Sequence, residues 1–237
     1  MDGHASEHGL QIHIAFHPFG IPLDISFPIL IMWGVILFIF IFLMIANRIE
    51  RFRMIEEYIF DFITNEIAIG LKTSNKIWFS FLLSLFLFIF IGNLSGLIPG
   101  AISPNSNINV TASMAILVFC LAQFCGIFTH GFKHFKHLVP PGIPKPILIL
   151  MIPLEIISQL ARPFSLAVRL FANLFAGHKV LTIFLGFIVM VSPFLKLIPI
   201  LGVLILSFFE IFVAFIQAFI FTYLSSFYIS DSVKGSH

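Results

Sequence analysis

Five runs of mainly apolar residues limit what this chain can fold into: 25–46, 77–98, 111–130, 147–190 and 200–229. Each reaches the ~20 residues that a helix needs to cross a hydrocarbon layer about 30 Å thick. Lipid offers no hydrogen bonds to an open backbone, so such runs satisfy their own polar groups as helices. The last two runs are longer than a perpendicular span and predict strong tilt. The break between them, Ser192-Pro-Phe-Leu-Lys-Leu-Ile-Pro199, makes them a hairpin. With 59% hydrophobic and 10% charged residues over 237 positions, the composition excludes an ordinary soluble domain. The expected fold class is an all-α integral membrane protein of one domain, 1–237, with about five membrane helices and a long tilted hairpin at the end.

Charge sorts the ends of these runs. The loops 47–76 and 131–146 and the tail from Asp231 hold nine basic residues: Arg48, Arg51, Arg53, Lys72, Lys76, Lys133, Lys136, Lys145 and Lys234. The segments 1–24 and 99–110 and the hairpin bend hold one, Lys196. Basic residues collect on the cytoplasmic side, so the N-terminus is expected outside and the C-terminus inside. No Lys or Arg precedes the first run, which argues against a cleaved signal peptide. Residues 47–76 alternate charge with Ile49, Phe52, Ile55, Ile59, Phe60, Phe62 and Ile63. That pattern predicts an amphipathic helix lying on the inner surface.

Several features carry no chemistry on this reading. His4, His8, His13 and His17 sit in the external segment, and His130, His134 and His137 stand at helical spacing near the second basic loop. The first set matches no defined metal site, and the second, beside two lysines, fits a basic surface loop better than the metal site its spacing allows. They read as a solvated tail and a basic surface, so no metal and no cofactor is expected. Cys120 and Cys125, five apart on a helix, point to different faces and are expected to be free thiols. A formal charge of +2 gives no reason to expect nucleic acid.

The chemistry concentrates in the fourth run. Glu155, Ser158, Arg162, Ser165, Arg169 and Asn173 recur at steps of three and four. At about 100° per residue they fall within a sector of roughly 80°. Ala172 and Ala176 continue that side and let another surface come close. A mid-membrane arginine costs about 2.5–3.5 kcal/mol on insertion scales, and its pKa above about 12 prevents it from shedding the charge. Arg169 therefore needs water, a carboxylate or both. In the fifth run Ser207, Glu210, Ala214, Gln217, Ser225 and Tyr228 share a face. Folding the hairpin about residue 194 brings His178 and Glu210 to one depth, and Gln217 between Arg169 and Asn173. Two polar zones result: a His178–Glu210 pair towards the outside, and Arg169, Asn173 and Gln217 at the centre. Glu155, Ser158, Arg162 and Ser165 continue inward. A fixed cation between titratable zones blocks continuous proton flow, and would force a passing carboxylate to ionise.

At these residues the chain resembles subunit a of the F-type ATP synthase, called subunit 6 in mitochondria. The likeness rests on RPFSLAVRLFANLFAGH from Arg162 to His178, and on Glu210 with Gln217 in FFEIFVAFIQAFIFTYL. It extends to Asn93-Leu-Ser-Gly-Leu-Ile-Pro99 and Asn107-Ile-Asn-Val-Thr111, and so covers most of 77–228. The resemblance implies a non-enzymatic stator that passes ions to a rotating ring of c subunits, within a complex that includes peripheral-stalk b subunits. It implies that Arg169 faces the ring's carboxylates. It puts Asn173, His178, Glu210 and Gln217 on the periplasmic half-channel, and Glu155, Ser158, Arg162 and Ser165 on the cytoplasmic one. Some members carry an acid where His178 stands and a histidine where Glu210 stands. A bacterial inner membrane is the expected location, with an organelle as the alternative. The rival reading is a secondary transporter or antiporter with an intramembrane arginine site, which would show paired repeats or broken helices.

Overall fold

The computed structural model describes residues 14–16, 23–25, 27–46, 48–67, 76–98, 101, 103–131 and 145–234. The seven histidines considered above lie outside this set except for His130, and so do Lys72, Lys133 and Lys136. Among the described residues the molecule is all-α apart from one short antiparallel ribbon, β1 (Ile14–Phe16) on β2 (Leu23–Ile25), with Ala15 opposite Asp24. Among the described residues five helices are long and apolar enough to cross a membrane. They are α1 (Phe27–Ala46), α3 (Lys76–Ser95), α4 (Ile108–His130), α5 (Lys145–Met190) and α6 (Leu197–Lys234). The remaining helix, α2 (Glu50–Phe62), is amphipathic and runs on into one π-helical turn, Ile63–Ile67.

Local chemistry sets the boundaries. The Asn107 side chain caps α4 by accepting from the Asn109 N–H at 3.0 Å, which fills one of the orphan donors of a helix start. Gly131 ends α4 at φ 59°, a left-handed conformation that favours glycine. The 46-residue α5 runs unbroken through Pro153 and Pro163. At ~1.5 Å per residue it is about 69 Å long, twice the hydrocarbon thickness, so it crosses at a steep tilt. Ser192 and the 3₁₀ turn Pro193–Leu195 reverse the chain, and Pro199 sits in the first turn of α6, where its missing N–H costs nothing. The opposite ends of α5 and α6, at Lys145 and Lys234, are not joined to each other. The hairpin thus has a bend end, at Ser192, and an open end, at Lys145 and Lys234.

The bundle is built around α6, which packs on α3, α4 and α5, while α4 also packs on α5 and α1 covers α3. Lipid is as apolar as leucine, so close packing rather than hydrophobic transfer holds such helices together. Small residues on α6 make that possible: Ala214, Ala218, Thr222, Ser225, Ser226 and Ser230 are all buried. The Thr222 and Ser225 hydroxyls donate to the carbonyls of Ala218 and Phe221, four residues back, so they need no partner on another helix. The amphipathic segment does more than lie on a surface. Phe62 sits within 6.2 Å of the Phe86, Phe215 and Phe219 rings, centroid to centroid, and Ile63 and Ile67 are buried. Each such ring pair adds about 0.5–1.5 kcal/mol beyond plain burial. The end of the segment thus wedges between α3 and α6, while Met54, Ile55 and Tyr58 stay exposed.

Candidate functional site

The face of α5 that carries Arg169 is open. Leu166, Ala167, Leu170 and Leu174 turn into the bundle, whereas Ser158, Ser165, Arg169, Ala172, Asn173 and Ala176 are exposed. Among the described residues no ion pair or hydrogen bond holds Arg169. Glu155 and Arg162 differ from the two serines: both are half-buried. Helical geometry explains the split. Relative to Arg169, Ser158 and Ser165 lie about 20–40° to one side, and Glu155, Arg162 and Asn173 about 20–40° to the other. The second edge is the one that turns towards α6.

At the bend end α6 presents Glu210, which is 9% exposed. Its carboxylate lies on the backbone of α5 at Gly177: a Cβ added there would stand 2.8 Å from Oε1. Glycine is what lets an acid from one helix seat itself against the next. His178, the following residue, points elsewhere, its Nε2 reaching to within 2.7 Å of a Cβ built on Gly96, just beyond α3. His178 and Glu210 are thus at one level, but among the described residues no hydrogen bond or ion pair joins them. Beside them the loop after α3 folds inward. Ser103 and Asn105 are fully buried and Asn93 nearly so. The Asn105 amide donates to Asn93 Oδ1 at 2.7 Å and to the Ile89 carbonyl at 3.2 Å, and the Ser103 hydroxyl donates to the Gly92 carbonyl at 2.7 Å. Four buried polar atoms here have no protein partner: Asn93 Nδ2, Asn105 Oδ1, His178 Nε2 and Glu210 Oε2. A buried polar group without a partner costs about 1–3 kcal/mol. Such a cluster is where internal water binds.

Gln217 lies two turns from Glu210 on α6 and is buried, at 7% exposure. It stays inside the bundle while Arg169 opens outward, and among the described residues no hydrogen bond links the two. Asn173 lines an open groove with Glu210, Gly177 and Ala176. At the open end a separate pocket forms between α4, α5 and α6, lined by Gln123, Glu155, Gln159, Arg162, Tyr228 and Asp231 among others. Arg162 Nη1 is 3.8 Å from Asp231 Oδ2, and its guanidinium lies 5.5 Å above the Tyr228 ring. Asp231 stands within α6, where the sequence suggested the start of a polar tail.

Sequence reasoning passed over Gly96, Ser103, Asn105, Gly177, Gln159 and Asp231 as site residues. Among the described residues no group of three or more His, Cys, Asp or Glu is placed to hold a metal. Cys120 and Cys125 are free thiols.

Comparison with known proteins fits this picture of a buried acid and an exposed intramembrane arginine on neighbouring helices. The model of the family described as ATP synthase A chain matches residues 29–230. The chain belongs to that family. It is 37% identical over 184 residues to the ATP synthase subunit a of Rhodospirillum rubrum, covering 78% of this chain and 76% of that one. It is 38% identical over 193 residues to the ATP synthase subunit a of Brucella ovis, covering 79% and 78%. Family membership makes it a multi-pass membrane subunit of an F-type ATP synthase complex. The matched region takes in all five apolar helices through Ser230 and every residue of the site except Asp231.

Proposed function

We propose that this subunit carries protons to and from carboxylates on a rotating c-ring, by two offset half-channels that Arg169 keeps apart. The observation that carries the reading is Arg169 itself: an exposed cation, midway along a membrane helix, without a partner among the described residues. A charge in that position needs a partner from outside the chain. The alanines Ala172 and Ala176 beside it leave room for a second helix to approach. A ring carboxylate meets both conditions.

On this reading the bend end faces outward, in line with the basic residues gathered at the other side. Protons enter by water held at Asn93, Ser103 and Asn105, pass His178 and Glu210, and reach the ring near Asn173 and Gln217. His178 and Glu210 are the groups able to take and give the proton. Arg169 stabilises the ionised form of an arriving carboxylate and so drives its proton off before it passes. The proton leaves past Ser165 and Ser158, with Glu155 and Arg162 bordering the path. The partners are the c-ring, peripheral-stalk b subunits and the rest of the complex, and the setting is a bacterial inner membrane. ATP chemistry belongs to other subunits.

The test is proton flux in vesicles holding the reconstituted complex. Each proton crossing 100 mV releases about 2.3 kcal/mol, so a bypass wastes that work. Arg169→Ala is expected to abolish ATP-driven pumping and to allow passive flow. Arg169→Lys should fail as well, because lysine can lose its proton in a dry site and lacks the planar fork. Coupled synthesis near the parent rate in Arg169→Ala would overturn the proposal.

A further inference from the structure

The hairpin that carries Arg169, Glu210 and Gln217 is closed by covalent chain at one end only. The other end of α6 ought to fray, as helix termini do, yet it is held from two sides. From α4, His130 Nε2 lies 3.0 Å from the Val233 carbonyl oxygen. A carbonyl only accepts, so that nitrogen carries the proton and donates. From α5, Arg162 reaches Asp231 at 3.8 Å and covers the Tyr228 ring. Between these contacts Ile229 and Ser230 are buried. Asp231 is an odd choice for the last turn of a helix, because an acid there opposes the helix dipole. A cation from outside α6 offsets that cost, and Arg162 is the one that arrives. Pro163, which lines the same pocket, has no N–H to give to the Gln159 carbonyl. Glu155 lines the same pocket without an ion-pair contact to Arg162 among the described residues.

We propose that Arg162, Tyr228 and Asp231 form a latch that fixes the open end of α6 on α5 and thereby keeps ions from bypassing the ring. Arg162 is a positioning residue on this account. The inference rests on the reading of Arg169 given above. Leu166 is why the latch matters. It lines the pocket, is 3% exposed, and stands one turn below Arg169. With α6 held, Leu166 is the apolar layer between the wet pocket and the level of Arg169. With α6 swung away, water from the pocket reaches that level from behind, along a route that turns no ring.

The experiment measures passive proton flux and ATP-driven pumping in vesicles holding the whole complex. Asp231→Asn is expected to raise passive flux about fivefold, which corresponds to about 1 kcal/mol for a half-exposed pair. ATP hydrolysis should continue while pumping falls. Tyr228→Phe, which keeps the ring under the guanidinium, should stay tight, and Tyr228→Leu should leak. The exchange Arg162→Asp with Asp231→Arg should leak less than either single change. As a second measurement, Gln159→Cys and Ser232→Cys bridged by a short thiol cross-linker, in a chain lacking Cys120 and Cys125, should seal the Asp231→Asn leak. An unchanged flux in Asp231→Asn, an exchange no tighter than the tighter single variant, or a leak that survives the bridge each overturns the latch. Arg169→Ala in the same vesicles separates the two proposals: if it leaves coupled pumping intact, the functional reading fails first.

Discussion

The two ends of the α5–α6 hairpin solve the problem of polarity inside a membrane in opposite ways. At the bend end the polar groups are buried, mostly neutral amides and hydroxyls, and four of their atoms have no protein partner. At the open end they are charged, half-exposed and paired, Arg162 with Asp231 and with the Tyr228 ring. Unpaired buried groups are where water binds, and on the proposed reading His178 and Glu210 exchange protons with it. Paired charges fix helices and change little. On the proposed reading, one half of the path works by particular titrating side chains, and the other by an open, wet surface. Single substitutions should then be costly at the first and, outside the Arg162–Asp231 latch, mild at the second.

The largest effect belongs to Glu210→Gln, which keeps the shape but removes the proton site. A positioned acid–base group is worth at least about a hundredfold, so ATP-driven pumping should fall by about that factor while the complex still assembles. Activity within a few-fold of the parent would erase the contrast between the ends. Next comes Gly177→Ala. Its new Cβ would stand 2.8 Å from Glu210 Oε1, a contact that real Cβ atoms essentially never show. The far end of a flexible side chain can yield, so the carboxylate shifts by a few tenths of an ångström and the fold survives. Alanine also favours the helix by about 1 kcal/mol over glycine, so lower activity could not be laid to instability. Misplacement on this scale should slow proton uptake about tenfold.

A smaller change is expected from exchanging the pair, His178→Glu with Glu210→His. The two side chains share a level, but among the described residues no hydrogen bond or ion pair joins them. The exchange should recover part of what either single change loses, and a double variant no better than the worse single one would show the groups to be independent. How far this site could be read from sequence follows from the same geometry. The five helices were legible because lipid demands little beyond length and apolarity. The shared depth of His178 and Glu210 followed from counting along a hairpin. What could not be read is where each side chain turns. His178 points to Gly96 because a glycine there leaves a space, and nothing in the spacing announces that. Ser103 and Asn105 looked like part of a solvated loop, since only the packed bundle shows that the loop folds inward. Asp231 looked like the start of a tail, because the contacts that hold this end of α6 come from far away in sequence, His130 at the Val233 carbonyl and Arg162 at Asp231. The six-residue stripe of α5 was seen as one face, and a difference of about 60° then separated Ser158 and Ser165 from Glu155 and Arg162.

The smallest effect is predicted for Ser165→Ala, alone or with Ser158→Ala, and it bears most directly on the contrast. Both serines are exposed on the face that carries Arg169. Each hydroxyl can hold a proton-bearing water, but so can the water beside it once the hydroxyl is gone. Replacing a hydroxyl costs most where the remaining groups are sealed off and cannot find another partner, and nothing on this edge is sealed by the chain itself. Pumping should therefore stay within about twofold of the parent, as expected where solvent substitutes for a lost neutral hydrogen bond. The measurement is ATP-driven acidification at matched amounts of assembled complex. A loss as deep as that of Glu210→Gln would mean that the docked ring encloses these serines as tightly as the bundle encloses Glu210. The asymmetry between the two ends would then belong to the isolated subunit and not to the working complex.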